Sequence, residues 1–118
     1  MEQQPLTPAA FHILLALAAG ERHGYALMSD VTELSDGALR IGPGTLYGSI
    51  KRLVGEALIV ETEARPDPRV DDQRRRYYRL TARGRDVLSA EATRLARLTE
   101  IAAQRDLIRG GVLRPREA

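Results

Sequence analysis

Residues 58–80 change the period of the chain, and that change restricts the folds open to it. "LIVETEA" alternates, "RPDPRVDDQ" is broken by Pro66 and Pro68, and "RRRYYRL" alternates again. Strand side chains point alternately to two faces, so Tyr78 and Leu80 face one way while Arg75, Tyr77 and Arg79 face the other. The connection is too long and proline-rich for a tight two-residue turn, so the segment predicts a hairpin with an extended tip.

The surrounding sequence reads with a helical period. In "TPAAFHILLALAAG", Thr7 is an N-cap, Pro8 suits the first turn and Gly20 is a stop. Phe11, Leu14, Leu15 and Ala18 share one face, and Ile13 and Leu17 widen it. A helix this apolar calls for two packing partners, its own core and a second subunit meeting Leu14 and Leu17. A second helix is expected from Gly24 to Ser35, with Tyr25, Met28 and Val31 or Thr32 inward and Gly37 as its stop. "ALRIG" is short enough for a brief strand. The third helix, "GPGTLYGSIKRLVGEALI", starts at Pro43 and buries Leu46, Ile50, Leu53 and Ala57. Its opposite side offers Thr45, Tyr47, Gly48, Ser49, Lys51 and Arg52. Glycine inside an exposed helix costs about 1 kcal/mol relative to alanine, so Gly48 needs a compensating reason.

The last helix is expected from its N-cap Thr81 to Arg109, about 40 Å long at 1.5 Å per residue. Leu88, Leu95 and Ala102 repeat every seven residues, with Leu98 between them. A domain of this size cannot cover such a helix, so pairing with a second copy is expected along Leu88, Leu95, Leu98 and Ala102. The expected divisions are residues 1–80, residues 81–109 and a frayed tail at 110–118.

The 118 residues, 43% hydrophobic and 29% charged, have the balance of a globular protein. There is no cysteine, no apolar run long enough for a membrane span and no signal-peptide pattern, so a reducing cytoplasm is the default. Net charge is only +2, but between Arg65 and Arg85 eight arginines face three aspartates. "GPGTLYGS" lacks the lysine–serine or lysine–threonine pair of a phosphate loop. His12 and His23 stand apart, and no carboxylate pair or metal-ligand spacing emerges. No catalytic residues, metal or cofactor are expected, and the chain does not read as an enzyme.

Three helices followed by a basic hairpin make a mainly α fold with a small β-hairpin, the winged helix-turn-helix arrangement. Its third helix can enter a major groove while the arginine-loaded hairpin, the wing, meets phosphates. "HGYALMSDV", "GPGTLYGSIKRLVGEALI" and "RRRYYRLTARGRDVL" resemble the three signature blocks of PadR-like transcriptional regulators, in matching order and spacing across Leu6 to Ala103. The resemblance implies a homodimeric, cytoplasmic protein that binds double-stranded DNA, usually a repressor, of the branch with a single C-terminal dimerisation helix. Thr45, Tyr47, Ser49 and Lys51, with Arg74, Arg75 and Arg76 of the wing, are the candidate DNA contacts. Tyr47 has packing within the domain as its alternative, Arg52 a pair with Glu56, and the whole surface a role in docking a protein partner. Two departures stand out: Ala57 occupies a position where the family often has glycine, and the chain has no tryptophan for an aromatic drug at a dimer centre. Whether a small-molecule effector exists, and which, stays open.

Overall fold

The computed structural model describes residues 5–62 and 76–109. The extended tip with Arg74 and Arg75, and the expected tail at 110–118, lie outside the described residues. The elements are α1 (Pro8–Ala18), β1 (Arg22–His23), α2 (Ala26–Leu34), α3 (Pro43–Gly55), β2 (Ile59–Thr62), β3 (Tyr77–Leu80) and α4 (Ala82–Gln104). Residues 1–88 form one compact unit and residues 89–118 a second.

Local chemistry starts α1 as expected: the Thr7 hydroxyl accepts a hydrogen bond from the Ala10 N–H at 3.1 Å, and Pro8 occupies the first turn. The wing is the predicted antiparallel pair, with Ile59 opposite Leu80 and Glu61 opposite Tyr78. A third strand lies before α2, where none was expected. β1 pairs with β3, Arg22 opposite Tyr78 and His23 opposite Tyr77, and the sheet order is β1-β3-β2. The brief strand expected in "ALRIG" does not form. There the Ser35 hydroxyl accepts from the Leu39 N–H at 2.9 Å and folds the segment into a turn after α2.

The inner stripe of α2 is rotated from the expected one. The helix starts at Ala26, so Leu27 and Val31 are the buried residues, Met28 is half-buried and Tyr25 is exposed. In α3, Leu46, Ile50 and Leu53 are buried as the spacing predicts. Ala57 instead lies beyond the helix in the left-handed region, at φ 62°. The Leu58 N–H reaches back to the Leu53 carbonyl at 3.0 Å and the Ala57 N–H to Val54 at 3.0 Å, a Schellman ending. An L-residue pays a steric cost there that glycine does not. Ala57→Gly is therefore expected to stabilise the fold by about 0.5 kcal/mol or more, once the added freedom of the unfolded chain is set against the relief. A thermal melt checks this, and a lower midpoint for the variant refutes it.

The same device ends α4 five residues before the expected Arg109. Asp106 is left-handed at φ 64°, and the Leu107 N–H bonds to the Ala102 carbonyl at 3.0 Å.

The core of residues 1–88 gathers Ile13, Leu14, Leu27, Leu46, Leu53, Leu58 and Ile59, all nearly inaccessible. Leu14, Leu17 and Leu88, expected on a pairing surface, belong to it, with exposures of 0%, 2% and 6%. Their own subunit already covers them: α2, α3 and the sheet wrap the wide apolar side of α1, and Leu88 of α4 joins the same cluster. The turns of α4 beyond the expected division at residue 80 join this unit as well, burying Gly84 and Leu88.

A dense set of bonds seats the start of α4 on the end of α3. The Thr81 N–H donates to the Leu58 carbonyl at 3.1 Å, the Thr81 hydroxyl to Ala57 at 2.7 Å, and Arg83 Nε to Glu56 at 3.1 Å. The Thr81 hydroxyl also caps α4, accepting from the Gly84 N–H at 2.9 Å. Carbonyls left unpaired where α3 ends are thus satisfied from α4.

Candidate nucleic-acid interface

With Leu46, Ile50 and Leu53 turned into the core, the helical period leaves Gly44, Thr45, Gly48, Lys51 and Arg52 on the exposed side of α3. A Cβ added at Gly44 or Gly48 would meet nothing within 4 Å. The fold itself therefore has no steric need for either glycine. Among the described residues, Lys51 and Arg52 have no carboxylate within ion-pair distance, and the pair of Arg52 with Glu56 does not form. The result is a narrow helical edge, low in side-chain bulk and carrying two cations.

Tyr47 sits at the border of this edge. It is half-buried and packs against the core. Its ring and that of Tyr78 both approach Gly24: a Cβ there would stand 3.1 Å from Tyr78 Cε2 and 3.6 Å from both Tyr47 Cε1 and Oη. Gly24 is buried between the two tyrosines, and its N–H donates to the Arg76 carbonyl at 3.0 Å. One small residue thus lets the turn before α2, the third helix and the wing converge.

The wing's inner face continues this junction outward. Arg76, Tyr78 and Leu80 alternate with Tyr77 and Arg79, so Arg76 shares the side of β3 that carries the buried tyrosine. Burial pushes the Tyr78 phenol above its ordinary pKa; the nearby Glu61 carboxylate adds to the rise, and Arg76 opposes it. Arg76 Nε lies 3.9 Å from a Glu61 carboxylate oxygen, with both side chains about half exposed (52% and 46%). On the outer face, the His23 and Tyr77 rings meet edge to face at 5.3 Å. Arg76 and Tyr47 therefore both border Tyr78, which links the base of the wing to α3.

Residues 13–90 match the family described as Transcriptional regulator PadR-like family. The chain belongs to that family. The PadR-like chain is 40% identical over 87 residues to Transcriptional regulator Rv3488 of Mycobacterium tuberculosis, covering 74% of itself and 75% of that protein. It is 38% identical over 87 residues to an uncharacterised 37.1 kDa protein in transposon TN4556 of Streptomyces fradiae, covering 74% of itself. It spans only 23% of that relative's length. Among solved structures, a PadR family transcription regulator from Clostridium difficile R20291 superposes with a TM-score of 0.68 at 23% identity, over 83% of this chain and 97% of that one. Fold and family agree on a winged helix-turn-helix transcriptional regulator.

On this PadR-like fold, Thr45 and Lys51 are exposed on the α3 edge, Ser49 is half-buried beside them, and Tyr47 turns toward the wing. Arg76 lies beside Glu61 and Tyr78 at the base of the wing, while Arg74 and Arg75 fall outside the described residues. Of the expected pairing residues, Leu98 is 50% exposed and Leu95 and Ala102 are half-buried. Sequence reasoning missed Gly24 and Glu61. Gly24 looked like a helix start, and Glu61 like one polar residue in an alternating strand; register alone brings it against Tyr78 and Arg76. Among the described residues no group of three or more His, Asp or Glu could hold a metal ion, and no helix is long and apolar enough to cross a membrane.

Proposed function

We propose that this chain is a sequence-specific DNA-binding repressor acting as a homodimer. Residues 1–80 would carry the DNA-binding surface, and the helix beyond them the pairing surface. Lys51 and Thr45 approach base edges in the major groove, Ser49 assists from the flank, and Arg76 meets the phosphate backbone with Arg74 and Arg75. Tyr47 holds α3 against the wing so that both reach one duplex. The dimer sets two recognition helices about one helical turn apart on a pseudo-palindromic site.

The observation that carries this reading is the α3 edge itself. Gly48, which weakens the helix interior, and Gly44 in its first turn lie on the exposed side where the fold has open space, next to cations without a carboxylate partner among the described residues. Close approach of an anionic surface explains both. The similarity to Transcriptional regulator Rv3488 supports the same reading.

The test is enrichment of duplexes from a randomised pool, followed by titration of the enriched and mixed sequences. A single site bound far more tightly than mixed DNA is expected, with log affinity falling by about 0.9 per log salt for each phosphate neutralised. Equal, weak binding to every duplex overturns the reading.

Gly48 gives a sharper check, because folding and binding should respond in opposite directions. Gly48→Ala is expected to stabilise the free protein by about 0.5–1 kcal/mol, since it removes a helix-weakening residue in open space. The added methyl should weaken binding to the enriched duplex. A variant that melts higher and binds undiminished would show that α3 does not approach DNA at this point.

A further inference from the structure

The acid at the base of the wing is not accounted for by the reading above. A surface that meets phosphates gains nothing from a carboxylate of its own, yet Glu61 stands 3.9 Å from the Arg76 guanidinium. The strand register puts Glu61 opposite Tyr78, two residues from Arg76 and on the same face. Arg76 is tethered at its backbone, where its carbonyl accepts from the Gly24 N–H at 3.0 Å. Its side chain neighbours the Tyr78 hydroxyl, to which the guanidinium donates, and the Glu61 carboxylate. At that separation, with both groups about half exposed, the pair is a weak one that a better ligand can replace. A phosphate offers bidentate, charge-assisted hydrogen bonds to a guanidinium and is such a ligand.

We propose that Glu61 is a positioning residue for Arg76: with Tyr78 it keeps the guanidinium at the base of the wing in the free protein and makes DNA phosphate displace a carboxylate before Arg76 engages. The proposal rests on the DNA-binding reading and deepens it. Glu61 orients the cation without touching DNA, and it lowers the affinity for every duplex alike. A second contribution runs through Tyr78. The buried phenol borders Glu61, Arg76 and Tyr47, so the ion pair closes over the tyrosine that ties the wing to α3.

The experiment is a double-mutant cycle read by fluorescence anisotropy on a mixed-sequence duplex, across ~50 to ~200 mM salt. The proteins are wild type, Glu61→Gln, Arg76→Gln and the double variant. Glu61→Gln is expected to tighten binding about two- to fivefold, the scale of an exposed ion pair. The salt dependence should steepen by up to ~0.9 as Arg76 engages phosphate fully. In the Arg76→Gln background, Glu61→Gln should leave both affinity and slope unchanged. A merely structural role would move the melting temperature and leave the slope alone. Arg76→Met, which keeps the aliphatic stem, serves the same cycle if Arg76→Gln does not fold.

Equal tightening in both backgrounds overturns the proposal, because Glu61 would then repel DNA without acting through Arg76. No tightening at all overturns it too. Both results leave the DNA-binding reading intact, whereas failure of wild type to bind any duplex removes that reading and the proposal together.

Discussion

Gly84→Ala is expected to be the most damaging single-methyl change in the described fold. Gly84 is buried in the first turn of α4 and lies directly on the chain at Leu58. A Cβ there would overlap the Leu58 carbonyl oxygen and stand 2.8 Å from its carbon and 2.9 Å from Leu80 Cδ1. The obstruction is backbone, so no rotamer relieves it. α4 must lift off, and doing so strains the bonds from Thr81 and Arg83 to the end of α3. Overpacking of this kind costs about 3 kcal/mol or more when nothing can rotate away. That is a large share of the roughly 5–15 kcal/mol that holds a domain together. The melting temperature should fall by about 10–20 °C. Gly48→Ala, in open space, is the control that rises while Gly84→Ala collapses. Equal melting of Gly84→Ala and wild type would refute the close seating of α4.

Leu98→Asp is the second large effect, and it acts on assembly instead of folding. Leu98 is 50% exposed on a helix that otherwise follows a seven-residue apolar repeat, with Leu95 and Ala102 half-buried beside it. If a second copy covers this stripe, the variant buries a carboxylate in each subunit. Removing an unpaired ion from water costs several kcal/mol, and the lost leucine adds about 1.5–3 kcal/mol. The dimer dissociation constant should rise at least about a hundredfold by the same arithmetic. Sedimentation analysis checks the mass, and circular dichroism should show the helix content unchanged. Binding to the enriched duplex should fall too, since two linked half-site contacts become independent. Leu14→Asp is a useful contrast: Leu14 is fully buried within the subunit, so its replacement should unfold the protein and not merely split it. A wild type that sediments as a monomer at all concentrations removes the pairing reading.

Much of the fold was legible because its signals are local. Thr7 and Pro8 mark a helix start by their own chemistry, and Leu46, Ile50 and Leu53 need only the helical period to predict one buried face. The alternation of Tyr78 and Leu80 reported the buried face of the wing in the same way. The errors arose where a residue's role depends on distant neighbours. "ALRIG" has strand-like content but is taken by the Ser35 turn, and Arg22–His23, with no period to reveal it, becomes a strand because β3 offers an edge. Ala57 and Asp106 occupy left-handed caps that sequence assigns to glycine, so the ends of α3 and α4 were misread. Leu14, Leu17 and Leu88 have the same hydropathy as Leu98, and periodicity cannot tell a core contact from a free one.

By itself the amino-acid order determined the four helices, the two strands of the wing with their cationic residues, and the polar glycine-bearing side of the third helix. These follow from side-chain periods, caps and charge, which act within a few residues. Tertiary structure alone decided that Gly24 makes room for Tyr47 and Tyr78, that Glu61 answers Arg76, and that Gly84 is pressed against Leu58. Each of these depends on which backbone lies a few ångströms away, and that is set by packing between segments far apart in the chain.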